Sequence, residues 1–280
     1  MEVLGGLDER MAFCGQRWQP TRLDRVVQTL ETSTRVSEVS TDEGLAFVKG
    51  MGNPAGLGSL ISELVCAELA TWFGLKVPDF AVILVDDLEI PLAGVGKVQR
   101  GPAFASRSVD LRTADGTDTY LSRLRRPQDL AKLVLFDTWV RNVDRCPPAD
   151  ALDPLPNYEN LTFAPMGKAY DIVAIDHTHC FTDGELTTDI GDPDLQADER
   201  IYGFFPEFPP FLENTNLHEE AARLGQIDDA FVRQVVQSVP QEWGITVGER
   251  SMLAEAIIFR AQLVSREAPR ILVAQLGLDV

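Results

Sequence analysis

Residues 56–80, GLGSLISELVCAELATWFGLKVPDF, contain the helix around which the other elements of the chain are ordered. Ser59 suits the N-cap of this helix, and Gly74 suits its end because glycine adopts the left-handed conformation without strain. The pattern therefore predicts a helix over about 58–73. Apolar residues recur along it at the spacing of one helical face, at Leu60, Ile61, Leu64, Val65 and Leu69.

Short strands are predicted on both sides of this helix. Within residues 21–49, the stretches RVVQTLE, TRVSEVS and LAFVKG carry β-branched and alternating positions. Asp42, Glu43 and Gly44 supply a turn between the last two, so the three stretches predict an antiparallel meander. FAVILV at 80–85 is a continuous apolar run and predicts a buried strand.

Helical patterns dominate the remainder of the chain. Pro127 can begin a helix over 127–141, and Asn142 can cap its end. An irregular loop is expected at 143–168, before a buried strand at 170–176 with the sequence YDIVAID. Further helices are expected around 218–224, 228–238 and 247–276, the last broken before Pro269.

The separation of strands from helices predicts an α+β protein with two lobes. Residues 1–108 are expected to form a β-rich N-lobe, and residues 109–280 a mainly helical C-lobe. A chain of 280 residues has room for both lobes within one domain.

The formal net charge of −18 repels phosphate backbones and anionic lipid, which argues against nucleic-acid and membrane partners. The four cysteines form no CxxC pair, and the chain has three histidines, so a structural zinc site is not expected. Scattered cysteines and an acidic N-terminus without a basic leader region predict a cytoplasmic protein. No window approaches the length of uncharged apolar sequence that a membrane span needs.

Lys49 and Glu63 form the first candidate site. Lys49 ends the apolar strand LAFVK, where its ammonium could simply reach water or could be held in a cleft to pair with phosphate. Glu63 lies in the helix beside small apolar residues, so it is either a solvated helix residue or the partner of a cation. A strand lysine paired with a helix glutamate is the arrangement that protein kinases use to orient phosphates.

A second candidate site combines three separate stretches. FDTWVRNVDRC places Asn142, Asp144 and Arg145 just after a helix, while Asn160 begins an apolar run and Asp176 ends a buried strand. Asp176 and Asn160 can supply oxygen ligands to Mg²⁺, which leaves Asp144 free to orient or deprotonate a hydroxyl. The alternative is purely structural: a helix cap, a local Asp144–Arg145 salt bridge and a turn-forming aspartate.

At these residues the sequence resembles the bacterial HipA-like kinases, most closely their compact single-domain branch. The resemblance covers roughly residues 22–265 and rests on the order of the strings AFVKG, SELVCAELATWFGLKVP, LVLFDTWVRNVDR, NLTF and VAIDH. It implies a protein-kinase-like fold, related to that of the phosphoinositide kinases. It also implies transfer of the γ-phosphate of ATP to serine or threonine of a protein. Several members of the family are toxins of toxin–antitoxin pairs, with aminoacyl-tRNA synthetases among their targets.

The resemblance also implies roles for individual residues. Lys49 would contact phosphate with Glu63 as its ion-pair partner, and Asp144 would be the catalytic aspartate, flanked by Asn142 and Arg145 in the catalytic loop. Asn160 and Asp176 would be the Mg²⁺ ligands. Phe104 to Arg107, in the stretch GPAFASRSV that links the lobes, would border the adenine. The loop that covers the phosphates would contain Thr32, Ser33 and Thr34.

The sequence departs from the family at the catalytic loop. Asp144 and Asn160 lie sixteen residues apart, a longer separation than usual, and Asn157 competes with Asn160 for the metal role. The chain also lacks GxGxxG, His-Arg-Asp and Asp-Phe-Gly, which excludes an ordinary eukaryotic-type kinase. A pseudokinase that acts through a partner protein is the main alternative. A third is a kinase-fold enzyme that modifies a small molecule or transfers AMP.

An acidic loop follows Asp176. It is either a solvated loop or a docking surface for a basic protein substrate, since an activation segment would lie at this position. An antitoxin-like protein is a second partner suggested by the resemblance. The loop contains seven acids: Asp183, Glu185, Asp189, Asp192, Asp194, Asp198 and Glu199.

Overall fold

The computed structural model describes residues 18–31, 35–212 and 215–277. Its N-terminal part contains a five-stranded antiparallel sheet with the strand order β1-β2-β3-β7-β4. The strands of this sheet are β1 (Leu23–Thr29), β2 (Ser37–Thr41), β3 (Gly44–Lys49), β4 (Phe80–Val85) and β7 (Gly101–Arg107). A separate hairpin is formed by β5 (Pro91–Leu92) and β6 (Gly96–Lys97).

The predicted meander is present as β1, β2 and β3. Gly44, at the turn between β2 and β3, has a φ of 117°, a backbone conformation that favours glycine. Val39, Ala46 and Val48 are buried on one face of the sheet and pack with Trp18 in a core of their own. Burial alternates along the end of β3 but not along β1 or β2, so the meander is confirmed while strict alternation is limited to β3.

The helix predicted at about 58–73 is α1 (Gly56–Phe73), and most of its residues are buried. Gly74 ends it in the left-handed conformation, as predicted. Ser59 is not its N-cap: Ala55 holds that position, and the Ser59 hydroxyl donates a hydrogen bond to the Gly56 carbonyl instead. By length and composition α1 could cross a membrane, but 72% of that stretch is buried inside the protein, as expected of a core helix.

The C-terminal part is mainly helical, with one small sheet in the order β10-β9-β8. The strands of that sheet are β8 (Arg112–Thr113), β9 (Thr162–Met166) and β10 (Ala169–Val173). The helices are α2 (Gln128–Val140), α3 (Leu186–Asp189), α4 (Pro193–Gln196), α5 (Pro209–Leu212), α6 (Leu217–Leu224), α7 (Asp229–Gln237) and α8 (Val247–Gln275). The segregation of strands and helices confirms the predicted α+β class.

Two predictions for the C-terminal part are wrong. The irregular loop expected at 143–168 contains β9, which pairs residue by residue with β10. The break expected before Pro269 does not occur, since α8 continues through this residue. A proline inside a helix costs about 3 kcal/mol. Burial of Ala268, Pro269 and Leu272 in the core offsets that cost.

The cleft between the lobes is held by a few direct contacts. The Trp243 indole donates a hydrogen bond to the carbonyl of Pro102 in β7, at 3.0 Å. The Ala174 amide, just after β10, donates to the Lys76 carbonyl at 2.8 Å. The boundary predicted at residues 108 and 109 lies between β7 and β8. These contacts place the end of β10 beside the N-terminal sheet.

Trp139 is expected to be essential for the stability of the core that α1 shares with the C-terminal helices. Its fully buried ring packs against Trp72, Phe73 and Phe136, and its indole donates to the Ile257 carbonyl. Trp139→Ala should therefore lower the free energy of unfolding by about 3–5 kcal/mol, measured by urea denaturation.

The half-exposed Phe259 of α8 provides the control, because its ring is 49% exposed. Phe259→Ala should change stability by about 0.5 kcal/mol or less. Equal losses in the two variants would contradict this description of the core.

Candidate active site

Lys49 and Glu63 form the ion pair that the sequence suggested. The Lys49 ammonium, at the end of β3, donates a hydrogen bond to the Glu63 carboxylate of α1. It also donates to Oδ1 of Asp176 at 2.9 Å and to the hydroxyl of Thr178 at 3.0 Å. Lys49 is thus directed into the cleft, and the alternative of a strand-end lysine that only reaches water does not hold.

Burial and charge act against each other in this group. Burial would lower the pKa of Lys49, but the carboxylates of Asp176 and Glu63 hold the pKa well above its ordinary value. The pKa of Asp176 lies below its ordinary value, because attraction to Lys49 outweighs burial. Burial raises the pKa of Glu63. Lys49 therefore carries its positive charge at any physiological pH.

Asp176 lies on a tight turn after β10. Its φ of 55° is in the left-handed region, which is uncommon for residues other than glycine. Its side chain is 33% exposed, although Lys49 and Thr178 bind one carboxylate oxygen. This turn therefore presents part of the carboxylate to the cleft.

Asp144 and Asn160 are in direct contact despite their separation in sequence. The Asn160 side-chain amide donates to Oδ2 of Asp144 at 2.8 Å. Asn157 instead accepts a hydrogen bond from the Glu159 amide and caps a short 3-10 helix, Tyr158–Asn160. The structure thus places Asn160, and not Asn157, against the carboxylate of Asp144.

The catalytic-loop insertion, residues 146–156, is closed by a backbone contact. The Asn157 amide donates to the carbonyl of Arg145 at 2.9 Å, so the two ends of the insertion meet. The insertion projects Leu152 and Leu155 into solvent. The added length therefore lies outside the contact between Asp144 and Asn160.

Arg145 is a structural residue at the centre of the site. Its fully buried guanidinium lies 2.8 Å from Asp137 of α2 and donates to the carbonyls of Asn160 and Ile175. Its ion-pair partner is Asp137 and not Asp144, so the local Asp144–Arg145 salt bridge considered from the sequence is wrong. Arg145 has no exposed surface, and its contacts join α2 to the segments on either side of the β9–β10 hairpin, so its part in catalysis stays a prediction.

Asn142 is likewise a positioning residue. It is fully buried, its amide donates to Asp137, and its side-chain oxygen accepts from the Asp144 backbone amide. It does not cap α2, because Arg141 is the left-handed residue at the helix end. These contacts fix the backbone that carries Asp144, and the assignment of Asn142 to the catalytic set stays a prediction.

The ends of the β9–β10 hairpin fit a cation bound together with phosphate. Thr162 pairs with Val173, so Asn160 before β9 and Asp176 after β10 lie at the same end of the hairpin. Together they offer carboxylate and amide oxygens, which suit Mg²⁺. No group of three or more His, Cys, Asp or Glu residues in the described parts of the chain could hold a metal ion. Water and phosphate oxygens could complete the coordination of an ion held by Asp176 and Asn160.

An apolar cleft leads to these charged groups. Phe104 is the register partner of Lys49 in β7, and its ring stacks with that of Phe80. Ser106 and Arg107 line the same cleft, so the stretch proposed to border the adenine is at its wall. Thr32, Ser33 and Thr34, proposed to cover the phosphates, lie outside the described residues.

The acidic loop is fixed at both ends by Arg141. The guanidinium of this buried arginine is 2.9 Å from Asp183 at the start of the loop and 2.9 Å from Asp198 near its end. Arg260 of α8 donates to the Asp198 carbonyl. These roles were missed in the sequence. In the sequence, the signal for Arg141 was its position beside Asn142 at the end of a predicted helix. Arg260 lies among apolar residues of a predicted helix, and no other signal in the sequence indicates its role.

The two lobes, the paired lysine and the clustered Asp and Asn side chains define a kinase-fold phosphotransferase. A family model described as HipA-like kinase matches residues 36–266, and the chain belongs to this family. The structure is similar to the crystal structure of the Helicobacter pylori proinflammatory kinase CtkA. The TM-score is 0.55 at 14% identity, with 90% of this chain and 99% of that chain covered.

A second solved structure resembles the chain more distantly. It is described as a candidate aminoglycoside phosphotransferase of Ralstonia eutropha JMP134, with a TM-score of 0.33 and 12% identity. The match covers 93% of this chain and 96% of that chain. No curated protein matches the sequence.

His177 is expected to make stability depend on pH. Burial and the positive charge of Arg145 hold the pKa of His177 well below its ordinary value of 6.5. The unfolded chain therefore takes up a proton below pH 6.5 that the folded protein does not. Through this group the free energy of unfolding should fall by about 0.8 kcal/mol between pH 8 and pH 6.

Comparison with His177→Asn isolates this effect in urea denaturation at the two pH values. Asp137 acts in the opposite direction, because burial raises its pKa to about 6 and the folded state then gains a proton on acidification. Asp137 is present in both proteins, so the difference between them reports His177. An equal pH dependence in the two proteins would refute the prediction.

Proposed function

We propose that this protein is an ATP-dependent kinase that transfers the γ-phosphate to serine or threonine of a protein substrate. The observation that carries the proposal is the contact between Lys49 and Asp176 at the mouth of an apolar cleft. The Asp144–Asn160 pair lies at the same end of the β9–β10 hairpin. Membership of the HipA-like kinase family supports the same reaction.

In the proposed reaction the residues of this chain position groups and neutralise charge. Lys49 is a fixed cation for phosphate oxygens, and Glu63 holds it in place. The Asp144 carboxylate, oriented by the Asn160 amide, is placed to accept the proton of an attacking hydroxyl. Asp176 and Asn160 would hold Mg²⁺. When bound, the ion would neutralise charge on the transferred phosphoryl group.

Two surface features support a protein as the phosphate acceptor. Leu152 and Leu155 of the insertion are 105% and 71% exposed and offer apolar contact area to a partner. A groove is lined by Asp150 of the insertion and by Glu199 and Arg200 at the end of the acidic loop, so the insertion and the loop border one surface. A segment carrying basic and apolar side chains would complement that surface.

The resemblance extends the proposal to the cellular setting. Activity as a toxin in the cytoplasm, directed at a translation factor or an aminoacyl-tRNA synthetase, agrees with the known members of the family. An antitoxin-like protein would then be a second partner. These assignments rest on the resemblance rather than on a particular contact of the site.

The main alternative is a pseudokinase that binds nucleotide and signals through a partner, and the insertion near Asp144 favours it. A thermal shift with ATP and Mg²⁺ separates the alternatives when combined with a turnover assay. Ligand at about 100 times its Kd stabilises a protein by about 2.7 kcal/mol. Stabilisation without turnover would favour the pseudokinase. Mass spectrometry of the product would distinguish phosphate transfer from AMP transfer, and a protein acceptor from a small molecule.

Removal of the two central charges should abolish phosphoryl transfer. Asp144→Asn should lower the rate by about 100-fold or more, through loss of the proton acceptor. Lys49→Met should lower it by about 100-fold or more, through loss of the phosphate-binding cation. Transfer of labelled phosphate from ATP to the protein itself and to lysate proteins measures both rates.

Exposed residues of the same types supply the controls. Asp87→Asn and Lys168→Met alter a solvent-facing aspartate and lysine outside the proposed docking surface and should leave the rate unchanged. The folded state of each variant is checked by its thermal unfolding. Absence of ATP hydrolysis and of all transfer by the wild-type protein would refute the proposed function.

Substrate charge should affect the rate of transfer. Peptides with Lys or Arg near the serine or threonine should be phosphorylated faster than matched peptides with Glu or Asp. The difference should shrink as salt screens the acidic surface. A paired set of such peptides, assayed at low and high NaCl, tests this expectation. Equal rates, or a preference for acidic peptides, would contradict a basic substrate.

A further inference from the structure

We propose that Thr178 is a positioning residue that holds one oxygen of Asp176 and leaves the other free for a metal-bound nucleotide. This inference rests on the proposed function and assigns a role to a residue outside the catalytic set described above. Thr178 is two residues beyond Asp176 and is buried. Its hydroxyl contacts every charged group in the Lys49 cluster.

The hydroxyl of Thr178 lies 3.0 Å from the Lys49 ammonium, 2.9 Å from Oε1 of Glu63 and 2.9 Å from Oδ1 of Asp176. A hydroxyl has one hydrogen to donate and two lone pairs to accept with. It can therefore accept from Lys49 but donate to only one of the two carboxylates at a time. Its single hydrogen can move between Glu63 and Asp176 by rotation about the C–O bond.

The two carboxylates differ in what else holds them. Oε1 of Glu63 accepts from Lys49 and also from the His177 backbone amide, at 3.2 Å. Within the parts of the chain that the structure describes, Oδ1 of Asp176 accepts only from Lys49 and Thr178. If Lys49 turns towards a phosphate, Asp176 depends on Thr178 for its hydrogen bond, whereas Glu63 keeps the His177 amide.

The backbone of Asp176 gives this hydrogen bond added importance. With a φ of 55°, Asp176 sits in a conformation that its surroundings must hold in place. The Thr178 hydroxyl bonds across this turn to Oδ1 and fixes the direction of the carboxylate. Residues that orient metal ligands commonly change metal affinity by about 10-fold to 100-fold when they are removed.

Thr178→Val, which keeps the shape of the side chain but removes the hydroxyl, tests the proposal. Binding of a fluorescent ATP analogue is measured while Mg²⁺ is titrated, and again in EDTA. The Mg²⁺ concentration at half-saturation should rise by about 10-fold or more in Thr178→Val. Affinity in EDTA should change little, because Lys49 and the apolar cleft remain.

Thr178→Ser restores the hydroxyl and should bring the Mg²⁺ dependence back to within about 2-fold of the wild type, as a hydrogen-bonding role requires. Thr188→Val, at an exposed threonine of the acidic loop, is the control for a threonine-to-valine change elsewhere. If Thr178→Val fails to fold, Thr178→Ala takes its place in the same titration.

Two outcomes would overturn the proposal: an unchanged Mg²⁺ dependence in Thr178→Val, or a Thr178→Ser protein as impaired as the valine variant. Both are distinct from failure of the proposed function. If the proposed function itself fails, the wild-type protein shows no Mg²⁺-dependent binding of nucleotide.

Discussion

The structure of the site depends on one buried cation, the guanidinium of Arg145. A charge that is fully removed from water must be paired and hydrogen-bonded. Arg145 meets this requirement with Asp137 of α2 and with the carbonyls of Asn160 and Ile175. The hydrogen bonds of this single side chain thus join α2, the helix before the catalytic loop, to the segment before β9 and the segment after β10. These two segments lie at the same end of the β9–β10 hairpin. The two segments that carry Asn160 and Asp176 are held together before any ligand is present.

The same constraint acts on the other side of the cleft through Lys49. This lysine is surrounded by two carboxylates, and attraction to them more than compensates for its burial. A protein with a net charge of −18 must neutralise a bound triphosphate locally. In the proposed function, one lysine at the boundary between sheet and helix would provide this cation. Glu63 belongs to α1 of the N-terminal part, and Asp176 follows β10 of the C-terminal part. The position of the Lys49 ammonium therefore depends on how the two lobes meet.

The sequence predicted what depends on local pattern. The helix around Glu63, its end at Gly74 and the strand that ends at Lys49 all follow from periodicity and glycine conformation. The contact of Asp144 with Asn160 and the hydrogen bonds of Arg145 to Asn160 and Ile175 join groups distant in sequence. For that reason the complete burial of Arg145 was not predicted. Pro269 shows the same limit, because tertiary packing overrides the local preference of proline to end a helix.

The closed ends of the catalytic-loop insertion have a consequence for the divergence of such enzymes. The hydrogen bond from the Asn157 amide to the Arg145 carbonyl makes residues 146–156 an excursion that starts and finishes at one point. Doubling the length of a flexible loop adds only about 0.6 kcal/mol of closure entropy. Evolution can therefore lengthen, shorten or rewrite this excursion while the reacting groups keep their places. Under the proposed function, recognition of new targets would then be able to change independently of the chemistry.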